Sequence, residues 1–514
     1  MADTNGLKEI PKEKFAFVSA GDLTHDKKLV TKSRSYLRDA FSRFCKNKGS
    51  VVGALVILFL LLYALIAPLC SPYSVAYSDP YFIKTLPKSE LFANTSFWDG
   101  CEQKSLNKET FLYYYNMGLE TGHNAVKNQE YTRSGSLYVF RLDSYQSTGC
   151  VYMDVEADEY ERLQRYQDET GIQVLYPTVA RGDRPSASVD RNNANYYYKT
   201  TKKNGGTQIV YDEKGNVIPV YKSHAVGESS PDGYHSIRIE GDGENGVEYE
   251  YALPNDTGYN VRVNYYEYYV YQHTYVLKDG ISKPSFLFGT TEGGQDIFTC
   301  LASGALFSFA FSIAVALVNM IVGAVYGAVA GYYGGKVDLI MERVSDILSA
   351  VPTVIVITLL QLYMGTSGAI VVLFVAFFLT GWIGMASTTR MQFYRYKKQE
   401  YVLAARTLGA KDRRIIWKHI FPNALGTLVT SCALIIPSMI YSEVNLSYLG
   451  IISLTSGNLT SVGTILANGQ PYLTTAPHII AFPSVFLALL LLSFNLFGNG
   501  LRDAFNPTLR GSEG

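Results

Sequence analysis

The sequence has little of what marks an enzyme. Its seven His residues form no H-E-x-x-H pair or other metal-type spacing. No G-x-S-x-G nucleophile elbow occurs. No G-x-x-x-x-G-K-[ST] loop occurs either. The nearest stretch, GGKV at 334–337, lacks the upstream glycine spacing and the hydroxyl, so the chain does not hold ATP by a phosphate loop. Cysteine is scarce, at six residues, and Cys45, Cys70, Cys300 and Cys432 lie at or within apolar stretches without ligand spacing. Net charge is absent too, with 45 basic against 45 acidic residues. That balance hides an asymmetry. Segment 71–285 holds about 21 Lys or Arg against about 29 Asp or Glu, so the rest of the chain is correspondingly basic. No catalytic residue, metal site or nucleic-acid partner is expected.

What is plentiful is apolar sequence. The run VVGALVILFLLLYALIAPL, 51–69, has about the 20 residues a helix needs to cross a hydrocarbon core. About 50 residues precede it, rich in Lys and Arg from 27 to 48, which predicts an uncleaved anchor rather than a signal peptide. Leu69 and Pro68 stand before Cys70 where a lipid-attachment site would carry small residues, so lipidation is not expected. Further runs at 301–332, 347–364, 368–386, 424–444 and 477–498 predict six spans in all. Basic residues cluster before the first run and between 390 and 423, which places both on the cytoplasmic side. Six spans return Arg502 and Arg510 to that side and leave 71–285 outside.

The outer segment is rich in Tyr and has no spanning run. In VRVNYYEYYVYQHTYVL, 261–277, a period of two puts Val261, Val263, Tyr265, Tyr269, Tyr271, Tyr275 and Leu277 on one strand face. KKNGGTQIVYDEKGNVIPVYK, 202–222, predicts hairpins at Asn204-Gly205 and Gly215-Asn216. EADEYERLQRYQDET predicts a helix near 157–170. The Tyr excess fits half-buried sheet faces first, with a stacking or docking surface as the alternative. EGDGENG at 240–246 lacks the order of a calcium loop and predicts a hairpin turn. Cys101 and Cys150 lie well inside the segment, and an oxidising exterior would permit a disulfide between them.

Within the spans, Gly323, Gly327 and Gly331 recur every four residues and leave bare backbone on one helix face for close helix packing. Pro352, Pro437 and Pro483 predict kinks or helix ends. Glu443 sits near the outer end of the fifth span, where a carboxylate is costly unless it is paired, faces a polar route or reaches water. It is the candidate for lining a translocation pathway.

The segment EYVLAARTLGAKDRRIIWKHIFPN, 400–423, is polar and basic between two apolar runs. It predicts a helix to Leu408, a left-handed cap at Gly409 and a second helix over 411–420 before Pro422 opens the next span. Orientation explains its charge but not the spacing of Ala404, Ala405, Gly409 and Pro422. That spacing resembles the EAA loop of ABC importer permeases. FGTTEGGQDIF (288–298), AGYYGGKVDLIMERVSDIL (330–348), SEVNLSYLG (442–450), FNLFGNGLRDAFNPTLR (494–510) and SYLRDAFSRFCKNKGSVVG before the first span are similar to the OppC/DppC branch of dipeptide, oligopeptide and nickel permeases. The resemblance covers about 33–73 and 286–510. Two residues depart from the pattern: Leu403 replaces the Glu that names the loop, and Gln295 replaces a common Arg.

The resemblance implies an all-α polytopic membrane protein with the type I ABC importer permease fold, and a strand-rich α+β domain inserted between helices 1 and 2. The expected organisation is a cytoplasmic N-terminal segment with an amphipathic helix (1–50), helix 1 (51–70), the extracytoplasmic domain (71–285) and a permease core (286–514). The core would contain the coupling loop 398–423. In the family this loop docks into the ATPase, which assigns Ala404, Ala405, Arg406, Gly409, Ala410, Lys411 and Pro422 to docking. Implied partners are a homologous OppB-like permease, two OppD/OppF-like ATPases that bind ATP and Mg, an OppA-like binding protein and membrane lipid, in a bacterial cell membrane. Peptides are the implied cargo, with nickel or glycans as alternatives. A different class, a membrane-anchored receptor or adhesion module, would have no use for the 400–423 lever.

Overall fold

The computed structural model describes residues 36–92, 95–176, 178, 200–203, 206–209, 223–225, 247–249, 251–364, 368–452, 454 and 460–505. Helix α1 (Tyr36–Lys46) sets Phe44 edge-on to Phe497 at 5.5 Å. Asn47 then caps α2 (Lys48–Cys70) by accepting the Ser50 N–H. One side of α2 is polar enough to pack: Ser50 Oγ donates to the Leu496 carbonyl at 3.0 Å. The other side leaves Leu55, Phe59 and Leu62 exposed, as a helix facing hydrocarbon does.

Strands occupy the chain between α2 and the next long helix. A first sheet joins β1 (Cys101–Leu106), β2 (Val126–Ser134) and β3 (Leu137–Asp143) in the antiparallel order β1-β3-β2, with α3 (Lys108–Thr121) connecting β1 to β2. After β4 (Cys150–Glu156) comes α4 (Ala157–Thr170), with the bounds its straight-chain composition predicts. Next are β5 (Leu175–Tyr176) and the pair β6 (Thr200–Lys203) and β7 (Gly206–Ile209), a hairpin where Asn204-Gly205 predicts one. The predicted turns at 215–216 and 240–246 lie outside the described residues. β8 (Ser223–Ala225) pairs with β9 (Val247–Tyr249). The second sheet runs β10 (Ala252–Pro254), β11 (Gly258–Asn264), β4, with β5 also on β11.

The reading of 261–277 as one strand is corrected. β11 stops at Asn264, whose side chain accepts the Glu267 N–H and starts α5 (Tyr265–Tyr271), extended by a π-helical turn over Gln272–Leu277. Tyr265 and Tyr269 are four apart, a spacing that serves a strand face and a helix face alike. Both are buried in an aromatic core with Tyr73, Phe82, Tyr145 and Phe286. Much of the Tyr excess is therefore packing.

Two extended segments tie this strand-bearing region to the long helices. They bond side by side through Asp79 N–H to Gly294 O, Lys84 N–H to Thr291 O, Thr290 N–H to Thr85 O and Lys88 N–H to Phe286 O. Gly294 is needed there: its φ is +73°, and a Cβ would stand 1.9 Å from the Asp79 carbonyl oxygen. Gln295 joins in by donating to the Val75 carbonyl at 3.0 Å.

Among the described residues five helices are long and apolar enough to cross a membrane: α2, α6 (Ile297–Tyr333), α9 (Ala369–Tyr396), α11 (Asp412–Tyr448) and α13 (His478–Phe505). The third expected span is instead two helices, α7 (Gly335–Ser349) and α8 (Thr353–Met364), bent by 63°. Pro352 stands at the break, because a proline ring clashes with the carbonyl one turn back. The count is five spans, or six if the bent pair is one. Between α9 and α11 lies α10 (Glu400–Thr407), and α12 (Val462–Gly469) precedes α13. At 1.5 Å per residue α6 is about 55 Å long, more than the ~30 Å hydrocarbon core, so part of it stands clear of the bilayer.

Candidate functional site

The polar segment between α9 and α11 folds onto the end of α6. α10 turns one side inward: Val402 is fully buried with Ala328, Tyr332, Phe393, Ile415, Ile416 and Ile420. Arg406, one turn later, donates from Nη2 to the Tyr332 hydroxyl at 3.2 Å and lies over its ring. Tyr332 donates in turn to Asp412 Oδ1 at 2.5 Å. One hydroxyl thus joins the end of α6 to both arms of the segment.

Gly409 makes the corner with φ +83°. Its N–H donates to the Arg406 carbonyl, and Ala410 N–H donates to the Ala405 carbonyl at 3.0 Å, which closes the helix end around a left-handed residue. No atom lies within 4 Å of where a Gly409 Cβ would be. The second arm differs from expectation. Residues 411–420 do not form a separate helix: Asp412–Arg414 and a π-turn over Ile415–Ile420 run straight into the span. Pro422 lacks the N–H of a regular helix turn, and the wider π-turn relieves its ring; Asn423 Nδ2 then satisfies the His419 carbonyl at 2.8 Å.

The outward residues of the site are Ala404, Arg406, Gly409, Lys411 and Pro422, with Ala405 and Ala410 half-buried. Leu403 is exposed beside them. Sequence reasoning missed Val402, Tyr332 and Asp412, which hold the segment in place. It also missed a clamp at the neighbouring helix ends. Arg390 forms two short bonds to Asp338, 2.6 Å from Nε and 2.7 Å from Nη2, and two longer ones to Glu342; Tyr394 OH donates to Asp338 Oδ2 at 2.6 Å. Lys397 Nζ donates to the Gly331 carbonyl at 2.9 Å, a cation on the exposed carbonyls of a helix end. A tyrosine at the end of an apolar run and a lone Arg after another were the available signals.

The glycine stripe faces α9. A Cβ on Gly323, Gly327 or Gly331 would stand 2.6, 2.2 or 2.7 Å from Trp382 O, Ala386 O or Phe393 Cβ, respectively. Glu443 is fully enclosed by the chain's own helices, accepting from Ser308 Oγ at 2.8 Å and Ser447 Oγ at 3.1 Å. Those hydroxyls offset the cost of a buried carboxyl.

The candidate pair Cys101 and Cys150 is not bonded to each other. They sit on strands of different sheets. The Cys101 thiol is pushed up to about 12 by burial and by the carboxylates of Asp143 and Asp99, so little of the reactive thiolate is present at neutral pH. Among the described residues no group of three or more His, Cys, Asp or Glu could hold a metal ion.

Several apolar helices, a close-packed glycine face and a pinned polar corner describe a multi-pass membrane protein, and its likeness to known proteins makes it a permease, a non-catalytic component of a transport system. Residues 323–511 match the family described as "Binding-protein-dependent transport system inner membrane component", and residues 35–87 match "N-terminal TM domain of oligopeptide transport permease C". The chain is 39% identical over 223 residues to the oligopeptide transport system permease protein OppC of Bacillus subtilis, covering 43% of this chain and 72% of that one. To the Escherichia coli K12 OppC it is 40% identical over 220 residues, 43% of this chain and 72% of that one. To the glutathione transport system permease protein GsiD of Pectobacterium atrosepticum it is 33% identical over 261 residues, 51% of this chain and 81% of that one. The chain belongs to the OppC/DppC family of binding-protein-dependent transport permeases.

Proposed function

We propose that this chain forms half of the translocation pathway of an ATP-driven importer of oligopeptides or dipeptides. In this reading a homologous permease supplies the other half. Two ATPase subunits hold ATP and Mg, and a binding protein brings the cargo from outside. Residues 398–423 face the cytoplasm and dock the ATPase, six spans cross the membrane with the bent α7–α8 pair as one of them, and 71–285 lies on the outer side. Peptide cargo follows the names of the relatives, ahead of nickel or glycans.

The observation that carries this reading is the corner at Gly409, an exposed helix pinned through one tyrosine to a membrane helix. When the ATPase pair closes, a push on α10 passes through Val402 and Arg406 to Tyr332 and the end of α6. The Arg390 to Asp338 clamp carries α7 with α9, so the spans shift as packed units between inward-open and outward-open states. A membrane anchor would need no such linkage.

The test uses the full chain, co-expressed with the other subunits of its transporter and placed in vesicles with labelled peptide. Gly409→Asp strains the left-handed corner by about 1 kcal/mol and adds a carboxylate to the docking surface. ATP hydrolysis is expected to continue while uptake falls at least tenfold, a loss of about 1.4 kcal/mol or more in coupling. Normal uptake by the variant would sink the proposal, and a wild-type chain that brings no ATPase with it would favour the anchor.

A further inference from the structure

Two exposed apolar stripes lead up to the base of the strand-bearing region. On α2, Leu55, Phe59, Leu62, Ile66 and Leu69 recur at helical spacing and are all exposed, as are Val485, Leu489 and Leu492 on α13. One helix position above Val485 on that stripe, Phe482 is stacked by Phe288 at 4.1 Å, and Phe97 lies edge-on to it at 6.1 Å. Phe59, Leu62 and Ile66 of the other stripe form one wall of an open apolar hollow that Leu287 also lines. Trp98 Nε1 donates to the Leu287 carbonyl at 2.9 Å. Phe97 and Trp98 thus stand at the head of both stripes. Beside them a single turn, Glu90–Phe92, points Leu91 outward at 89% exposure and sets the Phe92 ring 5.4 Å from that of Trp98.

The depth of this patch follows from α13. Its 28 residues extend about 42 Å at 1.5 Å each, which leaves about 6 Å at each end outside a ~30 Å hydrocarbon core. Phe482 is four residues past the helix start at His478, about 6 Å along the axis. It therefore stands at the edge of the core, and Phe97 stands there with it.

We propose that Leu91, Phe92, Phe97 and Trp98 are a foot by which the strand-bearing region rests in the bilayer interface, with the Leu and Phe side chains among the upper acyl chains of the phospholipid. The inference goes beyond the transport reading and requires only that α2 and α13 cross the membrane. Aromatic residues with one polar end are the side chains that the boundary between headgroups and hydrocarbon favours. The nearby charges are matched within the chain: Glu90 faces Lys283 at 3.7 Å, Asp99 meets Lys127 and Arg141, and Lys84 lies over the Tyr472 ring. Little charge is left to recruit a polar partner, and a soluble protein would have to enter the edge of the bilayer to reach Phe97. Lipid meets the same residues without that cost.

The test places the full-length chain in lipid nanodiscs whose phospholipids carry bromine near the carbonyl end or near the methyl end of their acyl chains. The chain has three tryptophans, and the signal of Trp98 is read as the difference between wild type and Trp98→Phe, with matching thermal midpoints as the folding control. Bromine near the carbonyl end is expected to quench Trp98 at least about twofold more than bromine near the methyl end, as befits a group roughly 5–10 Å into the headgroup and acyl boundary. The effect should be the same at low and high salt, because the contact is apolar. Leu91→Asp changes a side chain too exposed to serve internal packing. It is expected to lower the quenching about twofold while leaving the midpoint in detergent unchanged. Absence of bromine quenching, quenching as strong or stronger from the methyl end, loss of quenching at high salt, or unchanged quenching in Leu91→Asp would each overturn the foot. So would free access of aqueous iodide to Trp98 that ends only when a substrate-binding protein is added, a result that would give the patch to a protein instead.

Discussion

A Cβ on Gly327 would stand 2.2 Å from the Ala386 carbonyl oxygen and 2.8 Å from Thr389 Cβ. Neither neighbour is the free end of a flexible side chain, so a methyl group there must push α6 and α9 apart. Gly327→Ala is expected to cost about 1–3 kcal/mol, the usual range for overpacking, read as a lower thermal midpoint in detergent. Gly384 on α9 is the internal control, because nothing lies within 4 Å of its Cβ position. Gly384→Ala should leave the midpoint unchanged or raise it slightly, since Ala favours helix over Gly. Equal effects at both positions would refute the close approach. The four-residue glycine spacing made this face legible from sequence, because the feature is local and periodic. Glu443 was legible only by half. Its apolar neighbours marked it as needing a partner, but Ser308, 135 positions away in the chain, could not be named from spacing.

At the scale of elements, period was informative where one period fitted and misleading where two did. α4 carries mostly straight-chain residues and formed as its composition predicts. Residues 265–277 carry tyrosines four apart, and the Asn264 cap decided for helix. The third span broke where Pro352 falls, and 411–420 joined its span because a π-turn accommodates Pro422. The α5 end carries a pH-dependent tie. His273, buried beneath Tyr269, meets Asp279 Oδ2 from Nδ1 at 2.6 Å and the Tyr77 hydroxyl from Nε2 at 3.4 Å. Burial pushes the Asp279 carboxyl up, but the bonds from His273 and the Ile281 N–H outweigh it and hold the group below its ordinary 3.8. The folded state therefore binds the Asp279 proton more weakly than the unfolded chain. Its stabilisation is whole above the ordinary carboxylate value and is lost as pH falls through the lower folded value. Asp279→Asn is expected to lower the unfolding midpoint, followed by tyrosine near-ultraviolet dichroism, at pH 5–7. The gap to wild type should narrow below about pH 4. A gap that does not change with pH would remove Asp279 from the acid response.

For the whole molecule, the sequence separated an apolar helical part from a Tyr-rich strand-bearing part, and the two family matches at 35–87 and 323–511 leave 88–322 outside both. The join between the parts was not legible, because it consists of backbone bonds between segments some 200 residues apart. It also shows where the chain can be cut. Ser285 Oγ donates to the Lys88 carbonyl at 3.1 Å, so the two sides of the insertion touch at their base. Removing residues 90–284 and joining Ser89 to Ser285 through a few glycines closes the chain with the side-by-side segments intact. Phe82 and Phe286 lose their cover and would be changed to Ser, because a bare aromatic patch invites aggregation. The Gly409 corner lies far from this cut in the chain and is held by α6, α9 and α11, so, if it docks an ATPase as proposed, the shortened protein is expected to retain that ATPase within about twofold, under 0.5 kcal/mol. If the strand-bearing region receives the binding protein, uptake at limiting binding protein should fall at least tenfold, with the loss partly recovered at high binding-protein concentration. Unchanged uptake at every concentration would exclude that role. Loss of the ATPase together with uptake would mean that the strand-bearing region holds the helices in their docking arrangement, which its seat on α2 and α6 through the Asp79 and Gly294 segments would then have to explain.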